Sequence, residues 1–234
     1  TTDGDTIIAI NDAGNCYILR SVSDTNTMLC DMYTVSGELI TTIQSNYFTK
    51  NNMNNASINS IGNIVIVGIN HYNNSYVCKF TADSSILSDS TNWTEDVYHI
   101  ENNSNALPLA INNLGDVFVI GYMLFGFKTG INKFGHIYDF SSNHVFGNFN
   151  TSITKMDSSG NTIIFADYTF DSNNGAVKIM KYMGLWREYT IVGEDEEEFG
   201  KSLDVNYNGT RITIGSKNSV YIYDLSGIYW NNIK

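Results

Sequence analysis

The densest run of side chains able to do chemistry is Glu194-Asp195-Glu196-Glu197-Glu198, five carboxylates in a row. Such a run attracts cations and basic partners, but consecutive residues cannot all turn toward one ion. It reads as a solvated acidic loop, and Glu194, Asp195, Glu196, Glu197 and Glu198 are candidate interaction residues. The histidines, His71, His99, His136 and His144, share no spacing with a serine and an aspartate that would assemble a nucleophile, a base and its orienting group. Cys16, Cys30 and Cys78 lack the intervals of a zinc site. An odd trio in strand-like runs reads as small apolar residues and favours a reducing intracellular compartment. No catalytic, cofactor-binding or metal-ligating residue is assigned, no cofactor is expected, and the expectation is that the chain is not an enzyme.

Glycoside hydrolysis needs two or three converging carboxylates. The innermost strands outlined below supply Asp204 and no glutamate, so that chemistry is disfavoured. Aromatic residues make up 13% of the chain. Tyr17, Phe118 and Phe165 fall in apolar runs and read as core, whereas Tyr221, Tyr223, Tyr229 and Trp230 alternate in a hairpin that leaves half of them toward solvent. Tyr229 and Trp230 are therefore added as candidate interaction residues, since exposed Tyr and Trp anchor protein partners or stack on sugars.

The formal net charge is -11, with a pI near 4.6, so a nucleic acid would be repelled and is excluded as a partner. Lys128 and Lys133 form a small local basic group, read as part of a Gly-rich loop. No apolar run is long enough to span a bilayer as a helix, so no membrane insertion is expected. Six Asn-x-Ser/Thr sequons are what 31 asparagines give by chance, and they carry no information. The chain opens on Thr1, as a processed or excerpted chain does.

Only certain elements would position these residues, and an internal repeat specifies them. Ala9-Ile10-Asn11-Asp12-Ala13-Gly14-Asn15-Cys16-Tyr17-Ile18-Leu19 aligns without a gap on Ser57-Ile58-Asn59-Ser60-Ile61-Gly62-Asn63-Ile64-Val65-Ile66-Val67. The frame recurs at Asn112 with Gly115, Asp157 with Gly160, and Asn206 with Gly209. The five glycines are separated by 48, 53, 45 and 49 residues, the period of a propeller blade. Each Asx is expected to bond the backbone two residues on and start a turn, and each glycine to supply a positive φ. The apolar run after the glycine, such as Ile64 to Val67, suits a strand buried on both faces.

A second hairpin completes each unit. It turns on Ser36-Gly37 in the first copy, Met183-Gly184 in the fourth and Ser226-Gly227 in the last. In the second and third copies the outer strands are placed at Trp93–Ile100 and His144–Phe149. The expectation is an all-β fold, a five-bladed β-propeller with four antiparallel strands per blade. It forms one domain over 1–234, with blades at about 5–50, 54–102, 106–150, 151–193 and 199–234. Closure is expected by packing the first blade on the last without strand exchange. The alternatives are that residues 1–5 add to the last blade, or that part of a longer protein is absent.

The run Phe199-Gly200-Lys201-Ser202-Leu203-Asp204-Val205-Asn206-Tyr207-Asn208-Gly209-Thr210-Arg211-Ile212-Thr213-Ile214-Gly215, followed by Val220-Tyr221-Ile222-Tyr223, resembles the FG-GAP type of propeller repeat. Divergent, Asn-rich and Lys-poor versions are similar to propellers encoded by large DNA viruses of protists. The resemblance implies a viral, virion-associated protein. Integrin-like members bind calcium through alternating aspartates, but Asp157-Ser158-Ser159-Gly160-Asn161 has one carboxylate and Asn206-Tyr207-Asn208-Gly209 has none, so the metal site is not carried over. The function expected is a non-enzymatic interaction or structural scaffold for other proteins. A glycan-binding, lectin-like propeller is the alternative, and a glycoside hydrolase is third.

Overall fold

Runs such as Ile64-Val65-Ile66-Val67 and Ile163-Ile164-Phe165-Ala166 are too short and too rich in β-branched residues for helices, and they pair as strands. The computed structural model describes residues 8–11, 16–20, 27–49, 53–71, 74–83, 87–88, 90–100, 108–121, 123–128, 133–139, 149–194, 197–226 and 229–233. Among them the strands pair antiparallel into sheets of four, each in chain order. The first sheet holds β1 (Ile8–Ile10), β2 (Cys16–Arg20), β3 (Thr27–Thr34) and β4 (Leu39–Thr49). The second holds β5 (Met53–Ile58), β6 (Ile64–His71), β7 (Asn74–Thr81) and β8 (Thr94–Ile100). In the third, β9 (Leu109–Ile111) and β10 (Val117–Ile120) precede β11 (Met123–Lys128) and β12 (Lys133–Asp139). The fourth comprises β13 (Ile153–Met156), β14 (Thr162–Asp167), β15 (Ala176–Tyr182) and β16 (Trp186–Val192). The fifth comprises β17 (Ser202–Val205), β18 (Arg211–Gly215), β19 (Val220–Ser226) and β20 (Tyr229–Ile233).

The chain divides into two compact units. One spans 1–107 together with 113–115, and the other spans 108–112 and 116–234. In the first unit β1 lies against β5, and Met32, Ile43, Val65, Val67 and Phe80 form the core. In the second, β13 touches both β9 and β17. Its apolar residues gather around Val119, Ile163 and Phe165 on one side of the fourth sheet and around Ile164, Val177 and Ile212 on the other. Every residue of β14 is buried, the mark of a strand covered on both faces.

Two placements differ from the sequence reading. The outer strand of the third sheet is Lys133–Asp139, not His144–Phe149: Phe149 is buried, and 141–148 lie outside the described residues. Lys128 and Lys133 are not loop residues but face each other as the last cross-strand pair of the β11–β12 hairpin. Gly126 and Gly135 within these strands, and a bulge at Leu124/Phe125, interrupt the alternation that would have marked them.

Candidate functional site

In the second to fifth sheets the Asx residues build the turns between the first and second strands. Asn59 donates its N–H to the Ile64 carbonyl and its own carbonyl accepts from the Gly62 N–H, at 3.0 Å each; its Oδ1 accepts the Ile64 N–H at 2.9 Å. Oδ1 of Asn112 accepts the Val117 N–H at 3.1 Å, that of Asp157 the Thr162 N–H at 2.9 Å, and that of Asn206 the Arg211 N–H at 2.8 Å. The side-chain bond thus spans five residues, not the two expected from sequence. The turn is a hairpin loop whose first and last residues are already paired through the backbone, which leaves the far N–H facing the Asx side chain. Gly62, Gly115, Gly160 and Gly209 all have φ between 64 and 81°; Gly14 lies outside the described residues.

These turns also stack on one another within each unit. In the first unit Asn11 Nδ2 donates to the Ser60 carbonyl at 2.7 Å and Ser60 N–H to the Asn113 carbonyl at 3.3 Å, and a Cβ on Gly115 would overlap Ile64. In the second, Val117 packs on Gly160, and the Ser158 N–H reaches the Tyr207 carbonyl at 3.1 Å. The residue five positions after one Asx therefore occupies the space that the next glycine leaves open.

At Gly209 that residue is polar. Thr162 Oγ1 donates to the Gly209 carbonyl at 3.3 Å. Lys181, the cross-strand partner of Thr162, donates Nζ to Thr162 Oγ1 and, at 3.1 Å, to the Gly209 carbonyl. Burial holds the Lys181 ammonium below its ordinary pKa, with the nearby Asp157 carboxylate partly opposing the shift. Sequence reading missed Lys181, because nothing local marks a contact 28 residues away.

In the first unit Glu95 plays a comparable linking role. It accepts Ser45 Oγ–H at 2.6 Å and the Asn46 N–H at 2.8 Å, tying β8 to β4. Burial, with the Glu95 charge adding to it, pushes the Cys78 thiol far up. Cys30 and Cys78 are both fully buried in this core, which makes them poor nucleophiles. Tyr98 is raised to about 12 by burial, with Asp96 contributing.

The acidic run is divided among separate tasks. Glu197 accepts the Tyr221 hydroxyl at 2.7 Å, which raises that phenol's pKa. Glu198, at φ 53°, pairs with Lys201, whose hydrogen bond lowers the carboxyl. Glu194 is exposed, and Asp195 and Glu196 lie outside the described residues. Tyr229 and Trp230 occupy β20, and their side chains are not described. His99 lies beside Tyr76, with ring centroids 5.0 Å apart and the ring planes tilted by 37°. Asp204 is exposed, and its Oδ1 accepts the Val205 N–H at 3.0 Å. Among the described residues no group of three His, Cys, Asp or Glu is placed to hold a metal, and no helix is long and apolar enough to cross a membrane.

Among the described residues, exposed apolar side chains gather at the tip of the β15–β16 hairpin. Leu185 is 75% exposed, Met183 48% and Tyr182 45%. The Tyr182 and Trp186 rings lie 5.4 Å apart. Gly184 makes the turn at φ 84°.

No protein-family profile matches the chain, and no curated protein matches it. Solved structures do. The Cps50 (Swd1) β-propeller domain of Myceliophteria thermophila is 10% identical with a TM-score of 0.62, the likeness covering 99% of this chain and 71% of that one. The Pseudomonas aeruginosa periplasmic gluconolactonase PpgL is 10% identical, TM-score 0.56, over 100% of this chain and 72% of that one. TolB from Acinetobacter baumannii is 14% identical, TM-score 0.51, over 94% of this chain and 51% of that one. The chain is thus all-β, with propeller proteins as its structural neighbours. The expectation that it is not an enzyme is corrected: proteins named as lactonases are built on a similar fold, so a repeat scaffold without a sequence motif does not exclude catalysis.

Proposed function

We propose that the four-stranded sheets are the five blades of one β-propeller over 1–234, and that the chain binds a protein partner through the β15–β16 hairpin tip. The first part is supported by sheets that follow in chain order and by the likeness to propeller structures. The second rests on one observation: Tyr182, Met183 and Leu185 are exposed at the tip of a tight hairpin whose strands are paired below it, with the half-buried Trp186 ring beside Tyr182. An exposed Tyr ring is a typical interface anchor, and the neighbouring Met and Leu side chains add apolar area that docking would remove from water. Glu197 and Glu198 are engaged inside the chain, so of the described residues of the acidic run Glu194 is the one left for a basic rim on the partner. The test is crosslinking and capture from source extract with wild type and Met183→Asp/Leu185→Asp. Loss of a specific partner in the variant supports the reading, and an unchanged capture profile defeats it.

The likeness to a periplasmic gluconolactonase favours a second reading, hydrolysis of a sugar lactone. Consumption of glucono-δ-lactone above the spontaneous rate would support it, and a rate equal to the buffer blank would remove it. The Phe199–Gly215 segment supports assignment as a divergent FG-GAP-like repeat, and the Asn-rich, Lys-poor character of the repeats supports a viral origin. Proteomics of purified particles tests the virion association.

A further inference from the structure

We propose that the turn end of the junction between the fourth and fifth sheets is a built-in opening point of the second unit, set by the polar pair Thr162 and Lys181. The two junctions that can be compared within this unit are made differently. Where the third sheet meets the fourth, Val117 fills the space above Gly160, an apolar contact that gains from excluding water. Where the fourth meets the fifth, Thr162 takes the corresponding position and the Lys181 ammonium reaches across it to the Gly209 carbonyl. An ammonium partly withdrawn from water is offset by one hydroxyl, one carbonyl and the nearby Asp157 charge, and such groups commonly stabilise a protein less than apolar replacements of similar shape. Water that enters this end recovers the hydration of the cation, so separation costs less here than at Val117. The other end of the same junction, where Ile164, Val177 and Ile179 meet Phe199, Leu203 and Ile212, is closed by apolar packing. The opening is therefore local: the Asn206–Gly209 turn lifts from the fourth sheet while β17 and β18 stay anchored.

The geometry supplies its own reporter. The Ser158 N–H is bonded across the junction to Tyr207, whereas the Thr162 N–H is bonded within its own turn to Asp157. Hydrogen exchange of the full chain, resolved by NMR, should show Ser158 exchanging at least about tenfold faster than Thr162. Thr162→Val/Lys181→Met should slow Ser158 by about tenfold and leave the amide at 162 unchanged. Lys181→Met alone keeps Thr162 and should slow Ser158 to a lesser degree, which preserves the test if the double variant does not fold. Equal protection of Ser158 and Thr162 in the wild type, or a Ser158 rate that neither variant slows, overturns the proposal.

Discussion

Lys181 gives up proton affinity when it is buried, and that fixes the sign of its response to pH. Its folded pKa lies below the unfolded value of about 10.4. Between the two, the unfolded chain binds more protons than the folded one, so this residue's effect on stability improves as pH climbs through that window and is least favourable below it. Facing it are the Asp157 carboxylate and, across the strands, Arg187. Urea titrations should show Lys181→Met more stable than wild type at pH 7, with the gap closing toward about pH 10.5; a constant gap across that range rejects the assignment. The buried thiols give a second reading at this scale. Native protein should expose no more than Cys16 to a thiol reagent such as DTNB, because Cys30 and Cys78 are fully buried, and all three should react in guanidinium. Asp157 separates charge from geometry. Its alanine variant strands the buried Thr162 N–H and should cost about 1–3 kcal/mol. Asp157→Asn retains the accepting oxygen, as Asn59, Asn112 and Asn206 do in their turns, and should cost much less by chemical denaturation.

At the scale of the element, the glycine-bearing turns divide into those that need only a backbone conformation and those that also need space. Gly184 has φ 84° and open space where a methyl group would sit, whereas a Cβ on Gly209 would run into Thr162 and Asp157. Gly184→Ala should therefore cost about 1–2 kcal/mol, the left-handed penalty alone. Gly209→Ala should add an overpacking cost of about 1–3 kcal/mol, visible as a lower thermal midpoint. The Asx and Gly columns were legible in one dimension because a left-handed residue and a capping side chain each restrict residue type at a fixed offset. The stacking of turns was not legible, since Ile64, Val117 and Thr162 look like ordinary strand starts until their neighbours are known. The third sheet was misplaced for a related reason: Gly126 and Gly135 lie inside its outer hairpin, where sequence reading treats glycine as a break. Lys181 and Glu95 act over 28 and 50 residues of chain, and no local pattern announces either.

For the whole molecule, charge and fold give separate expectations. A net charge of -11 keeps copies apart at neutral pH, and that repulsion disappears near the pI of 4.6. Light scattering at low ionic strength should therefore peak between about pH 4 and 5, and added salt at about pH 7 should raise scattering toward that level by screening the repulsion. Neighbours at 10–14% identity share the backbone arrangement while bearing names as different as Swd1 and gluconolactonase. Turn chemistry and strand burial limit sequence enough to be read from it, but the same limits serve any activity set on the scaffold. Gly37 has a practical consequence of its own. It lies in the loop between β3 and β4 with open space where a Cβ would sit, so the exposed side-chain position at Glu38 could carry a fluorescent label while the glycine keeps its left-handed turn and the β3–β4 ladder its register.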